Sequence, residues 1–179
     1  MKNMMREIGS QKMVTVYSED LDDEYISGFI SCSNEDTMVL ACVDRFGENN
    51  GFLLIGLDGV YRMDVDSAYE KKLELLYTIK KQQHDPIDFS QEETIKETLI
   101  RWAYRENKTI TVGFWNTDSE VCGYIENPDN VKIINIDEYE CKPGQGTSFV
   151  EVENVKYIWA DERRARDAAL VYKLREKEC

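Results

Sequence analysis

The chain has 179 residues, of which 22 are Lys or Arg and 35 are Asp or Glu, so its formal net charge is −13. Apolar residues make up 42% of the sequence and aromatic residues 11%, a composition typical of a folded protein of one or two domains and not of a disordered one. No apolar run approaches the roughly 18 to 20 residues of a membrane-spanning helix, and the first residues lack the apolar segment of a signal peptide. We therefore expect a cytoplasmic protein with no membrane partner.

Five short β-rich runs, separated by turn residues, follow one another in the first half of the chain. They span residues 13–17, 25–31, 37–43, 52–56 and 60–64. The Asp58-Gly59 step between the last two is a strong signal for a tight hairpin turn, because both residues tolerate a positive φ. We predict that these two runs pair as a hairpin.

Two helix starts come next, and a linker lies between them. Ser67-Ala-Tyr-Glu70 and Ser90-Gln-Glu-Glu93 fit the capping box, so we predict helices from these points to about residues 81 and 105. The stretch between them contains Asp85-Pro86, and proline disfavours helix at the residue before it. We predict a first domain over residues 1–82, a linker over 83–90 and a second domain over 91–179.

The second half repeats the pattern of the first at an offset of 95 residues. Strands are predicted over residues 109–115, 120–126, 131–136, 148–152 and 155–159, and a third helix from Asp161, as its N-cap, to about residue 177. Gly28 aligns with Gly123, Gly51 with Gly146, and Asp66 with Asp161, among apolar positions that also agree. This self-similarity indicates a tandem duplication of one unit.

The repeated unit resembles the Sm-like (LSm/Hfq-type) family. The first motif of that family is echoed by Ile26-Ser-Gly-Phe-Ile30 with Asn34 and by Val121-Cys-Gly-Tyr-Ile125 with Asp129. The second is echoed by residues 54–60 and more faintly by residues 149–155. The resemblance implies a mainly β protein with helices (α+β). We expect two tandem five-stranded Sm-like or SH3-like barrels, each followed by an α-helix.

Single-stranded RNA binding is the alternative function that the resemblance implies, with Asn34, Asp129 and Asn130 near the bases. Charge disfavours it, because residues 1–89 contain 9 basic and 17 acidic side chains and residues 90–179 contain 13 and 18. The last predicted helix carries basic residues interleaved with acids, which indicates a solvent-facing surface with ion pairs. They are Arg163, Arg164, Arg166, Lys173, Arg175 and Lys177.

Catalytic chemistry has little support in the sequence. His84 is the only histidine, and we expect it to be a solvated residue of the linker. Cys32, Cys42 and Cys122 lie in or beside strand-like runs, which predicts that they pack in the core. We expect no enzyme activity, no cofactor and no metal site; a small-molecule or metal-dependent enzyme is the least favoured reading.

Large aromatic residues concentrate in the second repeat, and Trp115 and Trp159 are the predicted interface residues. Neighbouring strand residues face opposite sides, so each tryptophan and the residue before it cannot both point into one small core. The sequence therefore favours a non-catalytic binding or assembly module, either a protein-interaction module or an oligomeric scaffold. A protein partner or self-association suits the acidic surface better than RNA does.

Overall fold

The computed structural model describes residues 12–21, 25–89, 93–115, 117–136 and 146–176. The chain divides into two compact units, Met1–Ile87 and Asp88–Cys179. No helix in the described part of the chain has the length and apolar character needed to cross a membrane.

The first unit is an antiparallel sheet followed by a helix, and its five predicted strands are confirmed. The strands are β1 (Met13–Ser18), β2 (Ile26–Ser33), β3 (Thr37–Val43), β4 (Asn49–Gly56) and β5 (Val60–Val65), and the helix is α1 (Ala68–Ile79). Their spatial order is β5-β1-β2-β3-β4.

The predicted hairpin between β4 and β5 is wrong. Residues 57–59 do form a tight connection, in which the Val60 amide donates to the Leu57 carbonyl at 3.4 Å. Beyond this turn β5 pairs antiparallel with β1, with Val14 opposite Val65 and Val16 opposite Met63. The turn signal was correct, but it fixes only the local chain reversal and not the strand that becomes the partner.

The core of the first unit lies around its two longest apolar strands. Residues 38–43 of β3 and 51–55 of β4 are all buried, so these segments are covered on both faces. Helix α1 begins at the Ser67 capping box predicted from the sequence. It places the fully buried Leu73 against Met13 of β1 and Val43 of β3, and this contact fixes the helix on the sheet.

The second unit begins with a helix and continues with five antiparallel strands and a final helix. Its elements are α2 (Ile95–Arg105), β6 (Thr109–Phe114), β7 (Glu120–Asn127), β8 (Lys132–Asn135), β9 (Thr147–Phe149), a 3-10 helix (Val152–Asn154), β10 (Val155–Ala160) and α3 (Arg163–Glu176). The strand order is β10-β6-β7-β8-β9. The strand predicted over 148–152 ends at Phe149, and the 3-10 helix takes its last residue.

Two predicted helix starts differ from the structure. Helix α2 has Thr94 as its N-cap, with Glu97 completing the capping box, whereas the predicted cap Ser90 lies outside the described residues. At α3 the Arg166 amide donates to the Glu162 carbonyl, so Glu162 and not Asp161 accepts the first hydrogen bond of the helix. The predicted end of α3 at Lys177 also lies outside the described residues.

The prediction of two closed five-stranded barrels is wrong, although the chain is mainly β with helices. Closing a barrel requires hydrogen bonds between the two ends of the strand order. Those ends are β5 and β4 in the first unit and β10 and β9 in the second, and among the described residues no pairing joins either couple. The strands therefore form open antiparallel sheet, with α1 packed on β1, and with α2 and α3 packed on β6 and β7.

Unusual backbone positions recur 95 residues apart. A Cβ atom added to Gly28 or to Gly123 would overlap a carbonyl oxygen of the neighbouring strand, that of Ala41 or of Ile134. Left-handed conformations occur in two further pairs: Gly51 and Gly146 have φ of 75° and 88°, and Asp66 and Asp161 have φ of 61° and 58°. Each pair occupies the positions that the sequence alignment matched.

Candidate functional site

An open cleft of about 480 Å³ lies in the first unit, near the start of β2, the end of β3 and the start of α1. A volume of several hundred Å³ is in the range of ligand-binding clefts. Its lining combines aromatic, aliphatic and polar side chains: Tyr25, Ile26, Ser27, Cys42, Val43, Asp44, Arg45, Phe46, Asn50 and Tyr69. We refer to these residues together as the tyrosine cleft.

The loop between β3 and β4 builds one rim of the tyrosine cleft. The Oδ1 atom of Asp44 accepts hydrogen bonds from the amides of Phe46 and Glu48, both at 2.9 Å, and so fixes the loop. Phe46 is left 53% exposed, and the Arg45 guanidinium lies 4.8 Å from the centre of its ring. The rim therefore presents a flat aromatic face with a cation over it.

Four tyrosine rings form a continuous row that leads into the cleft. Tyr61 contacts Tyr17 with ring centroids 6.2 Å apart, and Tyr17 contacts Tyr25 at 5.7 Å. Tyr25 then meets Tyr69 edge to face at 5.9 Å. The row draws on β5, β1, the residue before β2, and α1, so it depends on the tertiary fold. Tyr61 and Tyr25 are 61% and 40% exposed and present aromatic surface to solvent.

Arg62 and Asp64 hold the centre of this row in place. Arg62 is opposite Tyr17 in the β1–β5 register, and its guanidinium lies 4.5 Å from the centre of the Tyr17 ring. The same guanidinium binds both carboxylate oxygens of Asp64, at 2.9 and 2.6 Å, and the Tyr17 hydroxyl donates to Asp64 at 3.2 Å. The hydrogen bond from Arg62 lowers the pKa of Asp64.

A buried carboxylate supports the inner end of the row. Glu70 is only 2% exposed, and it accepts hydrogen bonds from the Thr15 hydroxyl at 2.6 Å and from the Ser67 amide at 2.9 Å. Burial raises the pKa of Glu70, but the hydrogen bonds from Ser67 and Thr15 outweigh it and leave the pKa below its usual value. Glu70 therefore ties the start of α1, next to Tyr69, to β1.

The Tyr69 hydroxyl remains protonated under ordinary conditions. Burial and a hydrogen bond with Tyr25 raise the pKa of Tyr69 to about 12. The ring is therefore a neutral aromatic wall with a hydroxyl that can donate or accept a hydrogen bond.

Several polar side chains that line the cleft are held by neighbouring groups of the protein. Cys42 is 1% exposed and its thiol faces the Leu40 carbonyl at 3.5 Å, which is the environment of a packing cysteine. The Asp44 carboxylate is engaged by its own loop. The cleft offers a ligand aromatic faces for stacking and polar contact with the half-buried Asn50, whereas Ser27 is 4% exposed and its hydroxyl lies 3.0 Å from that of Thr15.

The corresponding place in the second unit carries an ion pair. Tyr25 and Tyr69 align, at the offset of 95, with Glu120 and Arg164. The Arg164 guanidinium lies 3.4 Å from the Glu120 carboxylate. The aromatic pair is thus particular to the first unit, and an ion pair occupies the aligned positions of the second unit.

The residues predicted to contact RNA lie in turns and do not come from one unit. Asn34 belongs to the first unit, where its Oδ1 accepts from the amides of Asp36 and Thr37 at 2.9 and 2.8 Å. Asp129 and Asn130 belong to a turn of the second unit, and the Asp129 carboxylate lies 2.7 Å from the Arg101 guanidinium. Neither place contributes a residue to the tyrosine cleft.

The two predicted interface tryptophans differ in exposure. Trp115 is 41% exposed, with the Lys156 ammonium 5.9 Å from its ring centre, whereas Trp159 is buried. Ion pairing of the α3 basic residues with the interleaved acids is confirmed for Arg164 with Glu162, at 4.0 Å. Arg164 also pairs with Glu120 of β7 at 3.4 Å, and Arg166 pairs with Asp161 at 3.3 Å, partners that the prediction did not include. Lys177 lies outside the described residues.

The expectation that His84 is a solvated linker residue is wrong. One ring nitrogen lies 2.8 Å from the Tyr77 hydroxyl and the other 2.9 Å from the Cys42 carbonyl, and the ring stacks on Tyr77. Cys42 and Cys122 are buried as predicted, whereas Cys32 is half-buried. Burial raises the pKa of Cys32, which disfavours the reactive thiolate.

Metal binding finds no support in the described ranges, where no three His, Cys, Asp or Glu side chains lie close enough together to hold an ion. No protein-family model, curated protein or solved structure matches the chain. The geometry of the site itself therefore has to support any functional conclusion.

Proposed function

We propose that the chain is a non-catalytic protein-binding module, and that the tyrosine cleft of the first unit binds an extended segment of a partner protein. The observation that carries this proposal is the row of four tyrosines leading into an open cleft with an exposed phenylalanine on its rim. Tyrosine-lined grooves suit peptide segments, because rigid rings supply apolar area and hydroxyl groups at little entropic cost.

Protein is favoured over RNA as the occupant because of charge. Nucleic acid binding depends on clusters of Lys and Arg that contact phosphates. Of the two arginines at the cleft and the tyrosine row, Arg62 is bound by Asp64 and only Arg45 lies at the cleft. We expect the partner to insert one apolar or aromatic side chain between Tyr25 and Phe46 and to run along the exposed faces of Tyr17 and Tyr61.

We also propose that the two units descend from a tandem duplication and that the first has specialised for binding. The support is the recurrence, 95 residues apart, of the glycines that contact a neighbouring strand and of the residues with left-handed backbone. The repeated second-strand glycine also carries the resemblance to the Sm-like family, and membership of that family is part of this proposal. An assembly role for the open sheet edges is compatible with the same function.

The residues aligned in the second unit provide a matched variant for testing the cleft. The double substitution Tyr25→Glu with Tyr69→Arg gives the first unit the ion pair of the second, so it removes the aromatic pair and replaces it with groups already found at that place. The control is Tyr104→Ala, which removes an exposed tyrosine of the second unit.

The test is to select a random peptide library on the full-length protein and to measure the affinity of the enriched peptides after synthesis. We expect these peptides to contain an apolar or aromatic anchor residue. They should bind the control variant as tightly as the unmodified protein, and the double variant at least tenfold more weakly. Failure to enrich any sequence, or equal binding by the double variant, would contradict the proposal. Binding to a pool of short single-stranded RNA, measured at low and high salt, tests the alternative function. A complex that weakens as the salt concentration rises would support RNA binding instead of protein binding.

A further inference from the structure

A chain of hydrogen bonds runs from a buried carboxylate to the tyrosine cleft. Glu70, which is 2% exposed, accepts from the Thr15 hydroxyl at 2.6 Å, and that hydroxyl lies 3.0 Å from the hydroxyl of Ser27. The Tyr69 hydroxyl in turn has hydrogen bonds with Ser27 and with Tyr25. Ser27, Tyr69 and Tyr25 all line the cleft. A negative charge inside the first unit is therefore connected to the surface on which we expect a partner to bind.

The carboxylate sets the direction of every hydrogen bond in this chain. An ionised carboxylate can only accept, and each hydroxyl group has a single proton to donate. Because the Thr15 proton is used on Glu70, Ser27 donates to Thr15. Because the Ser27 proton is then used, Tyr69 donates to Ser27, and Tyr25 donates to Tyr69. The Tyr25 proton is thus committed to the protein, and the Tyr25 oxygen faces a ligand as an acceptor only.

Aromatic rings surround this acceptor oxygen. Tyr25 and Tyr69 meet edge to face at 5.9 Å, and Phe46 on the rim of the cleft is 53% exposed. Such rings favour another aromatic side chain as their contact. Tryptophan is the one neutral aromatic side chain that has a hydrogen-bond donor, the indole N–H, and no acceptor. A tryptophan of a partner therefore matches both the rings and the oxygen.

We propose that the partner segment is anchored by a tryptophan, whose ring packs against Tyr25 and Phe46 and whose indole N–H donates to the Tyr25 oxygen. The tryptophan anchor rests on the protein-binding function proposed above and adds the chemistry of the residue that the cleft accepts. Glu70 is a positioning residue: it does not contact the partner, and it keeps the Tyr25 oxygen an acceptor through the hydroxyl groups between them.

The anchor is tested with the peptides enriched on the full-length protein, each synthesised in two forms. One form has tryptophan at the anchor position, and the other has benzothienylalanine, in which sulfur replaces the N–H group and the ring keeps its shape. We expect tryptophan to be enriched at the anchor position. We expect the sulfur form to bind about fivefold more weakly, the scale of one neutral hydrogen bond.

The outcomes separate the anchor from the cleft. Equal binding of the two forms, with binding still lost in the Tyr25→Glu, Tyr69→Arg variant, would overturn the tryptophan anchor and leave the cleft as the binding site. Failure to enrich any peptide, or binding that persists in that variant, would overturn the protein-binding function of the cleft, and the anchor with it.

Glu70→Gln tests the role of the carboxylate. The Ser67 amide can only donate, so the glutamine oxygen accepts from it and the glutamine NH₂ group donates to Thr15. Each hydroxyl then reverses its direction, and Tyr25 turns its proton toward the ligand. We expect the tryptophan form to lose its advantage to within about twofold, while the sulfur form binds as it does to the unmodified protein. A unit that was merely destabilised would weaken both forms alike.

Thr15→Val is a second variant, because it interrupts the chain of hydrogen bonds and leaves Glu70 in place. Thr15→Ser is its matched control, since serine keeps the hydroxyl group. We expect the advantage of the tryptophan form to be lost in Thr15→Val and kept in Thr15→Ser. An advantage of about fivefold that persists in Glu70→Gln or in Thr15→Val would overturn the role of Glu70.

Discussion

Replacing the buried Glu70 by glutamine is expected to destabilise the first unit. The carboxylate accepts from Thr15 at 2.6 Å and from the Ser67 amide at 2.9 Å, and it is 2% exposed. The isosteric amide can accept from the Ser67 amide and donate to the Thr15 hydroxyl, which in turn can donate to Ser27 at 3.0 Å, so both hydrogen bonds lose their ionised acceptor. A hydrogen bond to a charged group contributes about 1.5–3 kcal/mol and a neutral one about 0.5–1.5 kcal/mol, so we expect the free energy of unfolding to fall by about 2 kcal/mol.

The loss is expected to appear as a lower melting temperature of the first unit. For a domain of this size, 1 kcal/mol corresponds to about 4–8 °C, so the shift should be about 8–16 °C. Differential scanning calorimetry is the assay, because it measures the melting temperature and the enthalpy of unfolding directly. Glu74→Gln is the control, since Glu74 is an exposed residue of the same helix.

The dependence on pH provides a second, independent check. The pKa of Glu70 is lower in the folded protein than in the unfolded chain, where the pKa of a glutamate is about 4.3. The stability that Glu70 contributes is therefore present above that unfolded value and is lost as the pH falls through the folded value. The difference in melting temperature between the natural protein and Glu70→Gln should become smaller below about pH 4. An unchanged melting temperature of Glu70→Gln at neutral pH, or a difference that stays constant as the pH is lowered, would refute this reasoning.

Three further outcomes follow from individual residues. In a spectrophotometric titration of the folded protein, Tyr69→Phe should remove an ionisation near pH 12 and leave the absorbance change near pH 10 unaltered, because the pKa of Tyr69 is about 12. The stability that Tyr69 contributes should be lost as the pH rises from about 10 toward that value. Lys81→Gly should raise the free energy of unfolding in urea by about 1 kcal/mol, because Lys81, just after α1, has a φ of 52°, a left-handed conformation that glycine adopts without strain. Lys80→Gly should not raise it, because Lys80 has a φ of −77°. Gly28→Ala should lower it by about 1–3 kcal/mol, because the added methyl group overlaps the Ala41 carbonyl; a neutral result in either unfolding series would contradict the geometry.

The positions of the strands could be predicted from the sequence because they depend on local patterns. Alternating or continuous apolar runs between turn residues located all ten strands, with ends within three residues of those observed, and the Ser67 capping box located the start of α1. The strand partners could not be predicted in the same way. The turn at Asp58-Gly59 specifies a chain reversal, but the pairing of β5 with β1 is decided by contacts between residues more than 40 positions apart.

The tyrosine cleft could not be found from the sequence for the same reason. Tyr17, Tyr61 and Tyr69 are far apart in the chain and come together only when β1 pairs with β5 and α1 packs on β1. The sequence drew attention to the aromatic residues of the second half, where the tryptophans are conspicuous. A usable signal was present in the alignment of the sequence with itself at an offset of 95 residues, in which Tyr25 and Tyr69 both fall opposite charged residues.

Photo-crosslinking tests the central proposal most directly. A peptide selected on the full-length protein is synthesised with a benzophenone group at its anchor position, irradiated in complex, and the attachment site is mapped by mass spectrometry. Binding in the tyrosine cleft predicts attachment to Tyr25, Phe46 or Tyr69, and loss of attachment in the Tyr25→Glu, Tyr69→Arg variant. Attachment within residues 88–179, or attachment that persists in that variant, would contradict it.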